Sequence, residues 1–186
     1  MPMKIHDDVK KRLRTLFTED VIATRVKALA AELAAKDLHD PLFVPILKSS
    51  FIFAADLLRA MHRVGLEPEV EFMMLSSYRS HTSSGQIVVG KDVEGSVEGR
   101  DVILIDDILE TGRTIAFARD LLIARGAKRV LLCCLLEKPG KRAVNIEADC
   151  IGFTCPDHFV VGYGMDISHS FRELPFIGYL LPQETA

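Results

Sequence analysis

This sequence predicts an α/β fold, an open, doubly wound and mostly parallel sheet flanked by helices, on three observations. Short apolar runs recur along the chain, most of them without strict alternation, as suits strands buried on both faces. Stretches of helical spacing separate those runs, which is the order of a doubly wound sheet. Polar and charged residues follow directly after several runs, at the carboxyl ends of the expected strands, where open α/β sheets bind their ligands.

The first expected element is a surface helix. Thr18 followed by Glu19 and Asp20 reads as an N-cap with an acidic first turn, and Val21, Ile22, Val26, Leu29 and Leu33 recur on one face. The expected strands are LFVPIL (42–47), VEFMML (70–75), VILI (102–105) and VLLCCLL (130–136), followed by CIGF and FVVGY. The stretches SFIFAADLLRAMHRVG and TIAFARDLLIARG read as helices, each closing at a Gly placed to terminate it. A chain of 186 residues fits one domain with its own core.

Composition narrows the function. The formal net charge is −3, whereas a general nucleic-acid binder carries a basic excess or face, so small ligands are expected instead. No segment approaches the span of about 20 apolar residues that a membrane helix needs, and MPMKIHDDVKKRLRTLF lacks an apolar signal core. The expected location is cytoplasmic, with no membrane partner. Cys133, Cys134, Cys150 and Cys155 lack the paired short spacings of a zinc site and read as reduced core thiols.

The chemistry concentrates in VILIDDILETGRTIAFARDLL, Val102 to Leu122. Adjacent carboxylates repel one another unless a cation or a hydroxyl-rich ligand uses them. The following helix is expected to start near Thr114, so Glu110 to Arg113 form the loop at its entrance. A helix start offers unpaired N–H groups and partial positive charge; Gly112 lets an anion approach the backbone, and Thr111 and Thr114 add hydroxyls. Asp106 and Asp107 suit vicinal hydroxyls or a hydrated Mg²⁺. A phosphate cradle beside a hydroxyl-binding acid pair reads as a sugar-phosphate site, and no Walker A pattern is present. The plainer reading is that these acids merely favour a helix N-terminus and that Thr111 caps it.

VILIDDILETGRT resembles the phosphoribosyl-pyrophosphate (PRPP) motif of type I phosphoribosyltransferases, and the chain from about Pro45 to Leu180 resembles the hypoxanthine-guanine branch. That resemblance implies the type I phosphoribosyltransferase fold in a single domain, 1–186. Its parts would be an N-terminal helical or hood part at about 1–40, a core sheet at about 41–160, a mobile lid at about 76–91, and a purine-side strand and hood at about 156–186. It implies Mg-dependent transfer of the 5-phosphoribosyl group from PRPP to hypoxanthine, and to guanine, giving IMP or GMP and pyrophosphate in purine salvage. A homodimer or homotetramer would be the assembly. A nucleotide-binding regulator of the same fold, without turnover, is the alternative.

Residue by residue, the resemblance assigns Asp106, Asp107, Thr111, Gly112, Arg113 and Thr114 to the ribose and phosphate of PRPP. Lys48, Ser49, Ser77, Tyr78 and Arg172 fall to pyrophosphate, the first two in a loop with a cis peptide expected after Lys48. Lys138 would donate to the six-position oxygen of the purine, Phe159 would stack on its face and Val160 would meet its edge. Asp166 would hold Mg²⁺, with Asp106 and Asp107 able to join through water or the ribose hydroxyls. Read alone, Lys138 is an exposed strand-end lysine and Phe159 a core residue.

Three positions depart from the family pattern, among them His158, which stands where Lys is common. Ser49 stands where Gly is usual after the Lys, and Glu110 stands at the position of the catalytic Asp that takes a proton from the purine near N7. Glutamate has similar acidity, but its extra methylene moves the carboxylate by on the order of 1 Å, a misplacement that can cost ~100-fold.

Overall fold

The computed structural model describes residues 9–80 and 83–182, with no side chains described from 77 to 86. The elements run in the order β1 (Leu13–Phe17), α1 (Glu19–Ala34), β2 (Leu42–Leu47), α2 (Phe51–Arg63), β3 (Glu69–Val70), β4 (Met73–Ser80), β5 (Ser83–Lys91) and β6 (Asp101–Leu109). There follow α3 (Arg113–Ala124), β7 (Arg129–Glu137), β8 (Cys150–Thr154), β9 (Val160–Val161) and β10 (Ile177–Leu180). The main sheet has the order β5-β4-β2-β6-β7-β8, with β3 also beside β2. Every pairing in it is parallel except β4 with β5.

Burial on both faces, expected from the uninterrupted apolar runs, takes a concrete form. Along β6, Ile103 and Ile105 belong to one buried cluster, together with Ile22, Leu29 and Leu33 of α1 and Phe53 and Leu57 of α2. Val102 and Leu104 belong to a second, with Ile115, Ala118 and Leu122 of α3. A period-two strand with two covered faces leaves no place for polar alternation. Cys133 and Cys150 lie in the first cluster and Cys134 in the second, and all four cysteines are free and buried. No helix among the described residues is long and apolar enough to cross a membrane.

The expected boundaries shift in instructive places. VEFMML is split between β3 and β4 rather than forming one strand. FVVGY contributes only Val160–Val161 to a strand, because Gly162, Tyr163 and Gly164 all have positive φ and turn the chain. The largest change is in β6, which runs through the acid pair to Leu109 instead of stopping at Ile105. Asp106 pairs with Cys134 and Leu109 with Glu137, so the neighbouring strand β7 keeps both carboxylates in extended backbone. Helix α3 begins at Arg113, one residue before the expected Thr114. Thr18 occupies the N-cap position of α1, but its side chain makes no capping hydrogen bond.

A second, antiparallel sheet of order β1-β10-β9 forms a hood at one edge of the site. Strand β1 was not expected; LRTLF is short, only half-buried, and gains its partner from the far end of the chain, Leu13 opposite Leu180. The hood meets the main sheet where Phe17 of β1 stacks on Phe153 of β8, and the segment after β9 reaches the loop after β2 at Gly164. With φ +99° and a position where a Cβ would strike the carbonyl oxygen of Ser49, this residue lets that segment's backbone lie directly on the loop.

Candidate active site

The site lies where β2 and β6 end. A cavity of about 390 Å³ is lined by Leu47, Ser49, Asp106, Asp107, Glu110, Thr111, Gly112 and Thr114, among others. A smaller one of about 190 Å³ is lined by Ser49, Asp107, Ile108, Glu110, Lys138, Phe159, Val160, Met165 and Asp166. The two share Ser49, Asp107, Ile108 and Glu110, so they adjoin at the residues that follow β2 and close β6.

The floor of the larger cavity is the helix entrance. Gly112 takes φ +79° as the N-cap of α3, and a Cβ there would strike Ile146. Side-chain capping is absent, and only a long contact of 3.5 Å runs from the Arg113 N–H to Thr111 Oγ1. The first-turn N–H groups, which lack intrahelical partners in any helix, are thus available to an anion. Arg113 itself is exposed and does not line the cavity.

The acid pair carries the electrostatic tension. Burial pushes the Asp106 carboxyl well above the usual carboxylate range, and the Asp107 charge pushes it further. The Asp107 N–H donating to Asp106 Oδ1 at 3.1 Å relieves only part of this. Hydroxyl donors or a cation would stabilise the ionised pair.

Two side chains differ from what each would do in isolation. Lys138, at the end of β7, is only 7% exposed rather than a solvated strand-end lysine. Its Nζ lies 3.6 Å from Glu110 Oε2. Phe159 is 56% exposed rather than part of the core, and its carbonyl oxygen accepts from the Leu180 N–H of the hood at 3.1 Å. A buried donor and a bare aromatic ring on one small cavity are what a flat heteroaromatic ligand requires. His158, where the resembled family commonly has Lys, stacks on Tyr179 with ring centroids 4.7 Å apart.

The anion-binding side is partly assembled. Ser49 lines both cavities, whereas Lys48 is exposed and lines neither. The cis peptide is Leu47–Lys48, one bond before the Lys48–Ser49 bond considered from sequence. Ser50, fully buried, donates from its hydroxyl to the Ile46 carbonyl at 2.5 Å and braces the loop. Arg172 pairs with Asp166 at 2.6 Å and donates to the Gly164 carbonyl at 2.6 Å; it lines a separate cavity, with Ile22 and Val26 of α1 and Asp56 and Arg59 of α2, instead of the two described above. Asp166 Oδ2 also accepts from the His169 N–H at 2.7 Å. Ser77 and Tyr78 lie on β4, and their side chains are outside the described residues.

Sequence reasoning missed Arg142. Its guanidinium reaches the carbonyl oxygens of Leu109 and Glu110 at 2.8 and 2.7 Å. Nothing in PGKR distinguishes it from a solvated loop arginine; only the approach of β6 to the loop after β7 reveals it.

This fold and site define a phosphoribosyl transferase domain, and the family model of that description matches residues 15–168. The similarity extends to whole proteins. The chain is 40% identical to the hypoxanthine-guanine phosphoribosyltransferase of Streptococcus agalactiae over 95% of its length and 96% of that protein. It is 41% identical to that of Bacillus subtilis, covering 91% of this chain and 93% of that one. The chain belongs to the hypoxanthine-guanine phosphoribosyltransferase family. A hypoxanthine phosphoribosyltransferase from Staphylococcus aureus superposes with a TM-score of 0.85 at 39% identity, over 96% of this chain and 95% of that one. The Trypanosoma cruzi enzyme, solved with the product IMP, gives 0.84 at 35% identity, over 90% and 94%. The bifunctional protein TilS/HprT of Listeria innocua is 44% identical over 96% of this chain, which spans 27% of that longer protein.

Proposed function

We propose that the chain transfers the 5-phosphoribosyl group of PRPP to N9 of a 6-oxopurine, hypoxanthine and guanine, yielding IMP or GMP and pyrophosphate. The observation that carries this reading is the adjoining pair of cavities that share Glu110 and Asp107, one suited to a sugar phosphate and the other to a planar base.

In the larger cavity, Asp106 and Asp107 accept from the ribose hydroxyls, while Thr111 to Thr114 hold the 5-phosphate at the start of α3. Lys48, Ser49, Ser77, Tyr78 and Arg172 bind pyrophosphate, and a lid at about 76–91, of which 81 and 82 lie outside the described residues, closes to exclude water from a transition state of oxocarbenium character. In the smaller cavity Phe159 stacks on the purine and Val160 meets its edge. Lys138 donates to the six-position oxygen; adenine, with an amino group there, would leave this buried donor unpaired. Glu110 accepts the proton that the purine releases near N7. Rate comes from holding two reactants in line and neutralising the leaving group, with no covalent enzyme intermediate.

Mg²⁺ suits the donors present. It is a hard cation that takes one or two carboxylates together with substrate phosphates. Asp166 lines the smaller cavity; Oδ1 meets Arg172 and Oδ2 the His169 N–H, with the His169 ring nitrogen 3.9 Å away, which leaves further acceptor capacity on a carboxylate of two oxygens. When bound there, aided by Asp106 and Asp107, the ion would neutralise charge on the departing pyrophosphate.

The chain works as one unit, in the cytoplasm, as a homodimer or homotetramer. A buried Lys138 and an exposed Phe159 on one cavity suit a base-binding site. The test is to supply PRPP and Mg²⁺ with hypoxanthine, guanine, xanthine or adenine and follow nucleotide formation. Turnover with 6-oxopurines and not adenine, abolished by chelation, is expected. Tight PRPP binding without turnover, with activity gained in Glu110→Asp, would make the chain a binding protein instead.

A further inference from the structure

The loop between β7 and β8 holds a side chain to which phosphoribosyl transfer, as described, gives no task. Arg142 Nη1 donates to the carbonyl oxygens of Leu109 at 2.8 Å, Glu110 at 2.7 Å and Lys138 at 3.4 Å. Its Nε donates to the Ile146 carbonyl at 3.3 Å, and Nη2 pairs with Glu137 Oε1 at 2.5 Å. One guanidinium therefore ties the end of β6 to the end of β7 at the two residues whose side chains approach to 3.6 Å over the smaller cavity, Glu110 and Lys138.

We propose that Arg142 is a positioning residue that fixes the separation between the proton acceptor Glu110 and the donor Lys138. The six-position oxygen and N7 lie side by side on one edge of a 6-oxopurine, so a donor and an acceptor must meet that edge together. Glu110 has one more rotatable bond than an aspartate, which multiplies the placements of its carboxylate. Pinning the backbone at its root, and at the root of its partner, removes the part of that freedom that a side chain cannot control. The fork of five donors on a rigid plane can serve several carbonyls and a carboxylate at once; a lysine ammonium cannot.

This inference rests on the proposed function, and a cycle of variants separates the two. Arg142→Lys, Glu110→Asp and the double variant are compared with the native chain in steady-state kinetics with PRPP and hypoxanthine, with melting temperature as a check on folding. Arg142→Gln replaces the lysine variant if that one does not fold. Arg142→Lys is expected to lower kcat on the order of 100-fold, as for a misplaced reacting group, with KM for PRPP changed by less than about twofold. Its effect in the Glu110→Asp background should differ from that in the native chain by about tenfold, because the two act on one carboxylate. Equal effects in both backgrounds, an unchanged kcat, or a rise confined to KM for PRPP would make Arg142 a general brace of the phosphate loop, through the Ala143 N–H that donates to the Thr111 carbonyl at 2.9 Å. Absence of turnover in the native chain overturns the proposed function itself.

Discussion

The two ends of β6 present acids in opposite circumstances. At its start Asp101 is buried, and Oδ2 lies 2.6 Å from Arg129 Nη2 while accepting from the His39 N–H at 2.8 Å. Burial pushes this carboxyl up, but the Arg129 guanidinium and the His39 N–H together hold it below the usual range. At the other end burial and mutual repulsion push Asp106 well above it, with no compensating cation in ion-pair contact among the described residues. Both ends use the same backbone pairing and the same residue type. The lesson is that a carboxylate closed by protein partners supports the fold, whereas a carboxylate left open at the carboxyl end of a parallel strand is held for a ligand.

The comparison can be broken most sharply at Glu110. In Glu110→Gln, kcat with hypoxanthine should fall by roughly 10²- to 10⁴-fold, the range for loss of a general base, with the melting temperature unchanged. A variant that retains its turnover would remove Glu110 from the chemistry and leave the open end with a binding role alone.

The closed end should answer in stability instead. Asp101→Ala is expected to cost about 2 to 3 kcal/mol in urea unfolding, short of a fully buried pair because Arg129 is partly exposed, with KM and kcat kept. Loss of activity without loss of stability there would show that the two ends are coupled through the strand.

Asp106→Asn sharpens the contrast because it should move the two quantities apart. Relief of the repulsion is expected to raise stability by about 1 kcal/mol at neutral pH, while PRPP affinity drops. If both fall, the pair is a structural feature rather than a strained site.

The smallest effect lies in pH dependence, and its sign differs between the ends. Asp101 has a lowered folded-state value, so its contribution is present above the unfolded-state value and is lost as pH falls through the folded one. Asp106 has a raised value, so its stabilising protonation is complete below the unfolded-state value and is lost as pH rises through the folded one. Acid unfolding curves should therefore be shallower in Asp101→Asn than in the native chain, and the gain in Asp106→Asn should grow from acid toward neutral pH. Parallel curves for native chain and variants would assign neither residue a pH-linked role.

Much of this could be read before any coordinates. The apolar runs at 42–47 and 102–105, the helix entrance at Gly112, and the gathering of Asp106, Asp107, Thr111 and Thr114 at one cavity follow from local pattern, because strand burial and helix starts are written in neighbouring residues. Lys138 and Phe159 were legible only through family resemblance; their spacing alone argued for the opposite burial of each. Tertiary structure decided the rest. It extended β6 through the acid pair by pairing it with β7, gave β1 a partner from the far end of the chain, and set Gly164 after β9 on Ser49. It brought Arg142 onto the carbonyls of Glu110 and Lys138, and Arg129 onto Asp101. These contacts join residues whose own neighbours in sequence carry no sign of the partner, since a side chain's hydrogen bonds to distant backbone depend on how the strands are laid side by side rather than on the pattern within any one of them.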